Sequence, residues 1–379
     1  MTEKEKQQAT KAQPKHPSKK KTIIKIMIWT VVIGFILLVA LILFGYIKQN
    51  LTYYHNGLAK VKQAGFTEKQ VTIEGYQTNY AEGPDNGVPL LLIHGQGSEW
   101  EDYMKVLPEL SKKYHVFAID VYGHGQTDRL PANEYTNVRI GTLIAQFMKQ
   151  VIKEPAIVSG HSSGGLITIW IAANRPELVK AIILEDPPLF SSIMPRLQKT
   201  SGGDLAKVTH HFVSQKKEKN FQKYYVQNSR YFSFFGFLEK RIINYSVDYI
   251  NKHPGQPLEL FFLPPTVNIY FQGLVHYDPY FGAAWYKNSW YKGFHTEANL
   301  AAIQAPTLLI HTNYWHNHYG SYYDERGVLM AAMDNNDVAK AKSLVKGLKV
   351  VNVDSGHLVH FEKSDEYLKI LLDFTSKLK

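Results

Sequence analysis

The sequence predicts an α/β fold, in which a mostly parallel sheet carries helices on both faces. A mainly helical insertion interrupts this fold, and one transmembrane helix precedes it. Short apolar runs alternate with helical patterns along most of the chain, one aromatic-rich segment breaks that alternation, and a long uncharged run lies near the N-terminus. Apolar strands that alternate with helices are typical of a parallel sheet that is covered on both faces.

The composition excludes several classes of protein and of functional site. The chain has 379 residues, a net charge of +10, 45% hydrophobic residues and 20% charged residues. These values exclude a mostly disordered chain, and the length is enough for a large core. The chain has no cysteine. Disulfides, cysteine-ligated zinc and a cysteine nucleophile are therefore excluded.

The positive charge is concentrated at the N-terminus. Residues 1–25 hold eight lysines and two acidic residues, so they carry +6, and the rest of the chain carries +4. Residues 1–22 have almost nothing to bury and are expected to form a disordered basic tail. Because so little of the charge belongs to the folded part, no nucleic-acid partner is predicted.

A membrane anchor is predicted directly after the tail. Residues 26–47 contain 22 residues without a charge, and as a helix they would span roughly 33 Å, enough for a bilayer core. The exit sequence Phe-Gly-Tyr-Ile at 44–47 lacks the small-x-small pattern of a signal-peptide cleavage site. We therefore expect an uncleaved single-pass anchor in the cell membrane, which contacts lipid through residues 26–47. The lysines before it predict a cytoplasmic N-terminus and place residues 48–379 outside the cytoplasm.

The remaining patterns divide the chain into segments. Two short strands are predicted at 71–74 and 77–81. Six further strands are predicted at 89–93, 115–119, 156–158, 179–184, 306–310 and 348–353, and helices at 99–112, 137–152, 165–174 and 365–378. Residues 189–295 hold 24 of the 49 aromatic residues and are interpreted as an inserted domain. The predicted division is a tail (1–22), an anchor (23–47), a linker (48–68), a first core part (69–188), an aromatic-rich cap (189–295) and a second core part (296–379).

Three short motifs follow predicted strands. They are His-Gly-Gln-Gly at 94–97, Gly-His-Ser-Ser-Gly at 160–164 and Asp-Ser-Gly-His at 354–357. Because the carboxyl ends of parallel strands meet at one edge of a sheet, we expect the three motifs to lie close together.

The middle motif indicates nucleophilic chemistry. Ser162 lies between Gly160 and Gly164, and a tight strand-to-helix turn needs such small neighbours. A serine hydroxyl needs a base at neutral pH, and a histidine such as His357 has a suitable pKa. The backbone N–H groups of Gln96 and Ser163 are candidates to stabilise an oxyanion.

This set of motifs resembles the α/β-hydrolase superfamily over residues 70–188 and 296–379, with the aromatic segment in the usual place of a cap domain. The sequence Asp-Val-Tyr-Gly-His-Gly at 120–125 is similar to the family's Asp-x-x-Gly-x-Gly turn. The resemblance implies an α/β-hydrolase fold, Ser162 as nucleophile, His357 as base, and Gln96 and Ser163 as oxyanion-hole residues. It also favours acyl transfer to water, because haloalkane dehalogenases and epoxide hydrolases have an aspartate in place of the serine.

The acid of the catalytic triad is less evident. Many family members carry an aspartate after the strand that matches 306–310, but residues 311–317 contain no acid and the nearest one is Asp324. Some members place the acid at the end of the strand that follows the nucleophile helix, where this chain has Asp186. Asp186 is therefore preferred, Asp324 is the alternative, and Glu185 ranks below both.

The functional prediction is a serine hydrolase of the carboxylesterase or lipase type. It would cleave a small apolar or aromatic ester or acyl substrate through an acyl-enzyme, without a cofactor or a metal. An acyltransferase, or an amidase, peptidase or carbon–carbon hydrolase, would use the same site. A catalytically inert binding protein is the non-enzyme alternative, because the acid is missing from its commonest position. The substrate and its acyl length stay open.

Overall fold

The computed structural model describes residues 19–378, and the N-terminal part of the predicted tail lies outside the described residues. The sheet has eight strands. They are β1 (Thr67–Ile73), β2 (Tyr76–Glu82), β3 (Pro89–Ile93), β4 (His115–Ile119), β5 (Ala156–His161), β6 (Val179–Glu185), β7 (Thr307–Thr312) and β8 (Lys349–Val353).

The sheet is mostly parallel, which confirms the predicted fold class. Its strand order is β1-β2-β4-β3-β5-β6-β7-β8. The pairs β1/β2 and β2/β4 are antiparallel, and the five remaining pairs are parallel. The carboxyl ends of β3, β5, β6, β7 and β8 therefore lie along one edge, where all three motifs follow strands.

Helices cover the sheet and form the insertion. They are α1 (Lys19–Gln63), α2 (Leu107–Leu110), α3 (Asn137–Phe147), α4 (Ser163–Asn174), α5 (Gly202–Ser214), α6 (Phe221–Asn228), α7 (Glu239–Lys252), α8 (Pro265–Gln272), α9 (Pro279–Tyr286), α10 (Thr296–Ala302), α11 (Tyr314–Tyr319), α12 (Asn335–Leu344), α13 (Val359–Glu362) and α14 (Ser364–Thr375). Helices α5 to α9 lie in the segment between β6 and β7, and residues 189–295 of that segment are called the cap below.

Two apolar cores pack against opposite faces of the sheet. Along β3, Leu91 and Ile93 join the core that contains α3 and α4. Leu90 and Leu92 join the second core, which contains α2 and α14. Because successive side chains of a strand point to opposite faces, a strand that is covered on both faces is apolar over most of its length. This is why the strands were visible as continuous apolar runs.

The prediction of one continuous helix over 99–112 is wrong. The structure has a 3₁₀-helix over Trp100–Lys105 and the separate short helix α2. The cause is Pro108, which has no N–H to donate within a helix and is tolerated only in the first turn. A new helix therefore starts at Leu107.

Helix α1 is longer than the predicted anchor. It continues from Lys19 without interruption to Gln63, so most of the predicted linker is helical. It is the one helix among residues 19–378 that is long and apolar enough to cross a membrane, judged by length and composition. Its second half packs on the domain, where Asn50 and Val61 are buried. The apolar run is therefore continuous with a helical segment that packs on the domain.

Candidate active site

Ser162 lies at the turn between β5 and α4, in a backbone conformation that few side chains adopt. Its φ is 53° and its ψ is −119°. Its N–H donates to the carbonyl oxygen of Glu185 at 2.9 Å, and its own carbonyl accepts from Gly165 at 3.0 Å. Such a conformation costs about 1–3 kcal/mol for a residue other than glycine. Asp186, with φ 44°, is another of the five non-glycine residues with positive φ in the described chain.

Three glycines allow the backbone segments around Ser162 to approach each other. A Cβ atom on Gly164 would lie 2.2 Å from the carbonyl oxygen of Ile93, and one on Gly160 would lie 2.3 Å from the carbonyl oxygen of Gly164. A Cβ atom on Gly95 would lie 2.9 Å from the Cβ of Ser162. The His-Gly-Gln-Gly loop is therefore held directly against the serine.

Gly164→Ala is expected to lower the free energy of unfolding by about 1–3 kcal/mol, because the new methyl group would press on the β3 backbone. Chemical denaturation measures this change. Gly202→Ala is the matched control, since a Cβ atom on Gly202 has no neighbour within 4 Å. The control is expected to be neutral or to stabilise by up to about 1 kcal/mol. Equal stability of the two variants would contradict the close packing of the turn.

Asp186 and His357 form a direct hydrogen bond. The Nδ1 of His357 lies 2.7 Å from the Oδ2 of Asp186, and the hydroxyl of Thr312 donates to the same oxygen at 2.9 Å. The N–H of Asp186 donates to the carbonyl of Ile310 at 2.9 Å, which fixes the turn at the end of β6. The Asp186 side chain is fully buried, whereas that of His357 is 33% exposed. The histidine is therefore the member of the pair that solvent and small molecules can reach.

The charges of this pair stabilise each other. Burial acts to raise the pKa of Asp186, but the ring of His311, whose Nδ1 lies 3.8 Å from Oδ1, and the hydrogen bond from His357 outweigh it and lower the pKa to about 2. Burial acts to lower the pKa of His357, but its hydrogen bond to Asp186 and the charge of that carboxylate raise the pKa above the ordinary histidine value. Asp186 is therefore ionised at neutral pH and favours a protonated His357.

The two other candidate acids have different partners. Asp324 accepts hydrogen bonds from the Arg326 side chain and from the N–H groups of Arg326 and Val328, within a surface turn. Glu185 is buried and accepts from the N–H and ring Nδ1 of His360. The structure therefore brings Asp186 to His357, and it ties Asp324 and Glu185 to other groups.

The loop that carries His357 is held from two sides. The carboxylate of Glu362 accepts from the N–H of Gly356 at 3.0 Å and from that of Leu358 at 3.3 Å. The Nε2 of His161 lies 3.0 Å from the carbonyl oxygen of His357. These contacts fix the backbone on both sides of the histidine.

The candidate oxyanion-hole residues lie on two elements that meet at Ser162. Ser163 is the first residue of α4, and N–H groups in the first turn of a helix have no partner within that helix. Gln96 follows Gly95, and its side-chain Nε2 donates to the hydroxyl of Tyr277 in the cap at 2.6 Å. The backbone of this loop, with its candidate donor at Gln96, is therefore connected to the cap.

Two neutral histidines shape the same loop. The Nε2 of His94 accepts from the N–H of Val121 at 2.9 Å, and the Nε2 of His124 accepts from the N–H of Gly97 at 3.1 Å. Burial lowers the pKa of His94 to about 4, and it also lowers the pKa of His124. Both rings are therefore neutral acceptors that orient backbone N–H groups.

Three residues that contact the site were not predicted from the sequence: Glu362, Thr312 and Tyr277. Glu362 lies five residues after His357, and Thr312 ends the strand after which the family commonly carries the acid. Both lie close to a motif or to a predicted strand, but no feature of the neighbouring sequence indicates which groups they bind. Tyr277 had no sequence signal, because its contact with Gln96 depends on how the cap packs.

Comparison with known proteins gives a family and a set of relatives. The family model of the alpha/beta hydrolase fold matches residues 88–364, more than half of the chain. A hydrolase from Acinetobacter baylyi, (E)-2-((N-methylformamido)methylene)succinate hydrolase, is 33% identical over 112 residues, which are 30% of this chain and 42% of the relative. The 2-hydroxy-6-oxo-6-(2'-aminophenyl)hexa-2,4-dienoic acid hydrolase of Metapseudomonas resinovorans is 30% identical over 131 residues, 34% of this chain and 44% of the relative. The chain thus matches less than half of the length of these curated relatives.

Solved structures resemble the chain over a larger part of its length. A membrane phospholipase A, described as a bacterial virulence factor, has a TM-score of 0.57 at 21% identity and covers 92% of this chain and 98% of its own. The carboxylesterase CesB from Bacillus subtilis has a TM-score of 0.56 at 17% identity and covers 87% of this chain and 98% of its own. At these identities the likeness shows a common fold.

Proposed function

The chain belongs to the alpha/beta hydrolase family, and on that premise we propose that it is a membrane-anchored serine hydrolase that cleaves carboxylic esters. The observation that carries the proposal is the 2.7 Å hydrogen bond between His357 and the buried Asp186. This bond connects the third motif to Asp186, directly after β6. Glu185, the last residue of β6, accepts from the N–H of Ser162 through its carbonyl oxygen. Nucleophile, base and acid of a triad would thus share one edge of the sheet.

The proposed reaction has two steps. The hydroxyl of Ser162 attacks the ester carbonyl, and the Nε2 of His357 takes the hydroxyl proton while its Nδ1–H donates to Asp186. The N–H groups of Gln96 and Ser163 stabilise the oxyanion, with the N-terminus of α4 adding its dipole. His357 then protonates the leaving alcohol. Water then attacks the acyl carbonyl and gives a proton to His357, and His357 returns this proton to the Ser162 oxygen as the carboxylic acid leaves.

The membrane anchor is the second part of the proposal. Residues 26–44 of α1 include many large apolar side chains that are exposed on the protein, such as Phe35, Leu41 and Phe44. A bilayer would cover this surface, and the lysine-rich tail would stay in the cytoplasm. Protease treatment of intact cells tests the orientation. Protection of the C-terminal domain would exclude an extracytoplasmic site.

The function is tested with esters of graded acyl length, assayed on the full-length protein. Pre-treatment with a fluorophosphonate, which labels activated serines, is expected to abolish hydrolysis and to add one label for each chain. Hydrolysis that resists the fluorophosphonate would exclude the proposed nucleophile. Product analysis with an added alcohol would reveal an acyltransferase, because the acyl group would then appear on that alcohol.

The rate of ester hydrolysis is expected to fall as the pH decreases. His357 acts as a base only when it is neutral, and its pKa is raised by Asp186. The acid limb of kcat/KM should therefore have an apparent pKa above the ordinary histidine value of about 6.5. A pH profile with a soluble ester measures it. A limb well below that value would contradict the assignment of His357 as the base.

A further inference from the structure

The cap carries an aromatic tip, which we define as Phe234, Phe237 and Leu238. Phe234 is 89% exposed and Phe237 is 94% exposed, on a 3₁₀ segment that extends over Arg230–Leu238. Side chains of this size are rarely exposed so completely unless a partner covers them. The proposed ester hydrolysis gives no reason for this exposure, so the tip indicates a further interaction.

The tip is exposed although its own segment is anchored. Phe232, in the same segment, is fully buried and stacks on Phe271 of α8 with ring centroids 5.9 Å apart. Gly236, with φ 52°, turns the backbone between the two exposed phenylalanines. The segment is thus fixed to the cap by one ring while two others point away from the protein.

The cap is attached to α1 close to the end of the apolar run. The hydroxyl of Tyr46 donates to the carbonyl of Phe262 at 3.2 Å, and the Nδ2 of Asn50 donates to that of Phe261 at 2.8 Å. Farther along, the Nε2 of Gln272, the last residue of α8, donates to the hydroxyl of Tyr53 at 3.2 Å. Because Tyr46 lies in the last turn of the apolar run, this side of the cap is held at the level where α1 leaves the bilayer.

The ring of Tyr245 connects this attachment to the tip. It lies 6.1 Å from the ring of Phe261 and 6.3 Å from that of Phe262. Tyr245 belongs to α7, which begins directly after Leu238, and the seven-residue step from Leu238 to Tyr245 spans about 10 Å of helix. The tip and the attachment to α1 are therefore joined by less than two turns of α7.

We propose that the aromatic tip inserts into the outer surface of the bilayer, so that the cap rests on the membrane and the site takes acyl lipids from it. This inference rests on the proposed function for its substrate class. A lipid surface is the occupant that fits, because Tyr245 connects the tip to the part of the cap that is bonded to Tyr46, at the end of the apolar run. The exposed Lys240 and Arg241 follow the tip and suit anionic headgroups.

The membrane side of the cap also contacts the loop of the candidate base. Tyr270 of α8 donates to the carboxylate of Glu362 at 3.4 Å, and that carboxylate accepts from both neighbours of His357. Helix α8 thus contacts α1 through Gln272, the tip segment through Phe271 and the histidine loop through Tyr270. A lipid that leaves the bilayer beside this helix would be close to the site.

Lipid contact can be measured without any activity, because the chain has no cysteine and one introduced cysteine can carry a fluorophore. The full-length protein with Phe237→Cys is labelled with bimane and reconstituted into phosphatidylcholine–phosphatidylglycerol vesicles. Vesicles with brominated acyl chains are expected to quench this fluorescence strongly. Absence of quenching would overturn the proposal, and an emission that is shifted but not quenched would indicate a protein contact, such as a second copy of the chain.

Asp85→Cys is the matched control for lipid contact. The side chain of Asp85 is 78% exposed, and its neighbour Pro84 lies against Gly65, just beyond the end of α1. The helix from Tyr46 to Gln63 spans about 26 Å, so Asp85 should lie far from the lipid. Quenching at both positions to the same extent would refute an orientation with the tip towards the membrane.

The substrate class is tested with the double variant Phe234→Ser, Phe237→Ser. Hydrolysis of a long-chain phospholipid in vesicles is expected to fall about tenfold or more, since membrane contact of two aromatic side chains is lost. Hydrolysis of soluble p-nitrophenyl butyrate should stay unchanged, because neither residue belongs to the proposed site. Equal losses on both substrates, or no loss with vesicles, would refute the proposal. If the native chain hydrolyses no ester at all, the proposed function is refuted. The quenching measurement does not depend on activity, so it still tests whether the tip contacts lipid.

Discussion

Replacing Ser162 by alanine is expected to lower kcat for ester hydrolysis by about 10⁴-fold or more, since removal of a triad nucleophile has effects of this size or larger. The alanine removes only the hydroxyl that would form the acyl-enzyme. It should also be tolerated by the fold, because alanine is smaller and fits the same turn. Steady-state rates with a soluble ester, and mass spectrometry of the fluorophosphonate adduct, measure the change.

Ser163→Ala is the matched control for this experiment. It removes a neighbouring hydroxyl from the same turn and keeps the backbone N–H that is proposed to stabilise the oxyanion. Hydrolysis and labelling should therefore survive in this variant. Activity that persists in Ser162→Ala would refute the proposed mechanism.

The second large effect is expected for Asp186→Asn, which should lower kcat by about 10³–10⁴-fold, as loss of a triad aspartate does. The amide keeps the size of the side chain but removes the charge that would stabilise a protonated His357. It also allows the opposite ring tautomer, because the amide can donate to Nδ1 where the carboxylate only accepts. Any remaining activity should show an acid limb at lower pH, since the group that raises the pKa of His357 is lost.

Asp324→Asn is the control that separates the two candidate acids. Asp324 is bound to Arg326 in a surface turn, so its replacement should leave kcat within about twofold, as for a surface position away from the site. Because Asp186 is fully buried, the thermal transition of Asp186→Asn must be measured with the activity. A folded Asp186→Asn variant with full activity, or a large loss in Asp324→Asn, would reverse the assignment of the acid.

The core of the fold was predictable because its signals are local. A strand that is buried on both faces forms a nearly continuous apolar run, and β3 and β4 begin and end where the predicted runs do. The serine turn was visible for a related reason, since the steric demands of the turn require glycines at 160 and 164. The continuity of the helix at 99–112 was mispredicted, because the apolar periodicity continues across Pro108 whereas the backbone hydrogen bonding does not.

By itself, the sequence determined the class of fold, the uncharged run near the N-terminus, and the serine and histidine motifs at strand ends. Each of these depends on residues that are neighbours in the chain. The partner of His357 was decided only by the tertiary structure, because Asp186 precedes it by 171 residues and meets it through parallel pairing across β6, β7 and β8. The same holds for the contact of Gln96 with Tyr277 and for the attachment of the cap to α1. These contacts depend on how distant segments pack, and no local pattern of residue types records that packing.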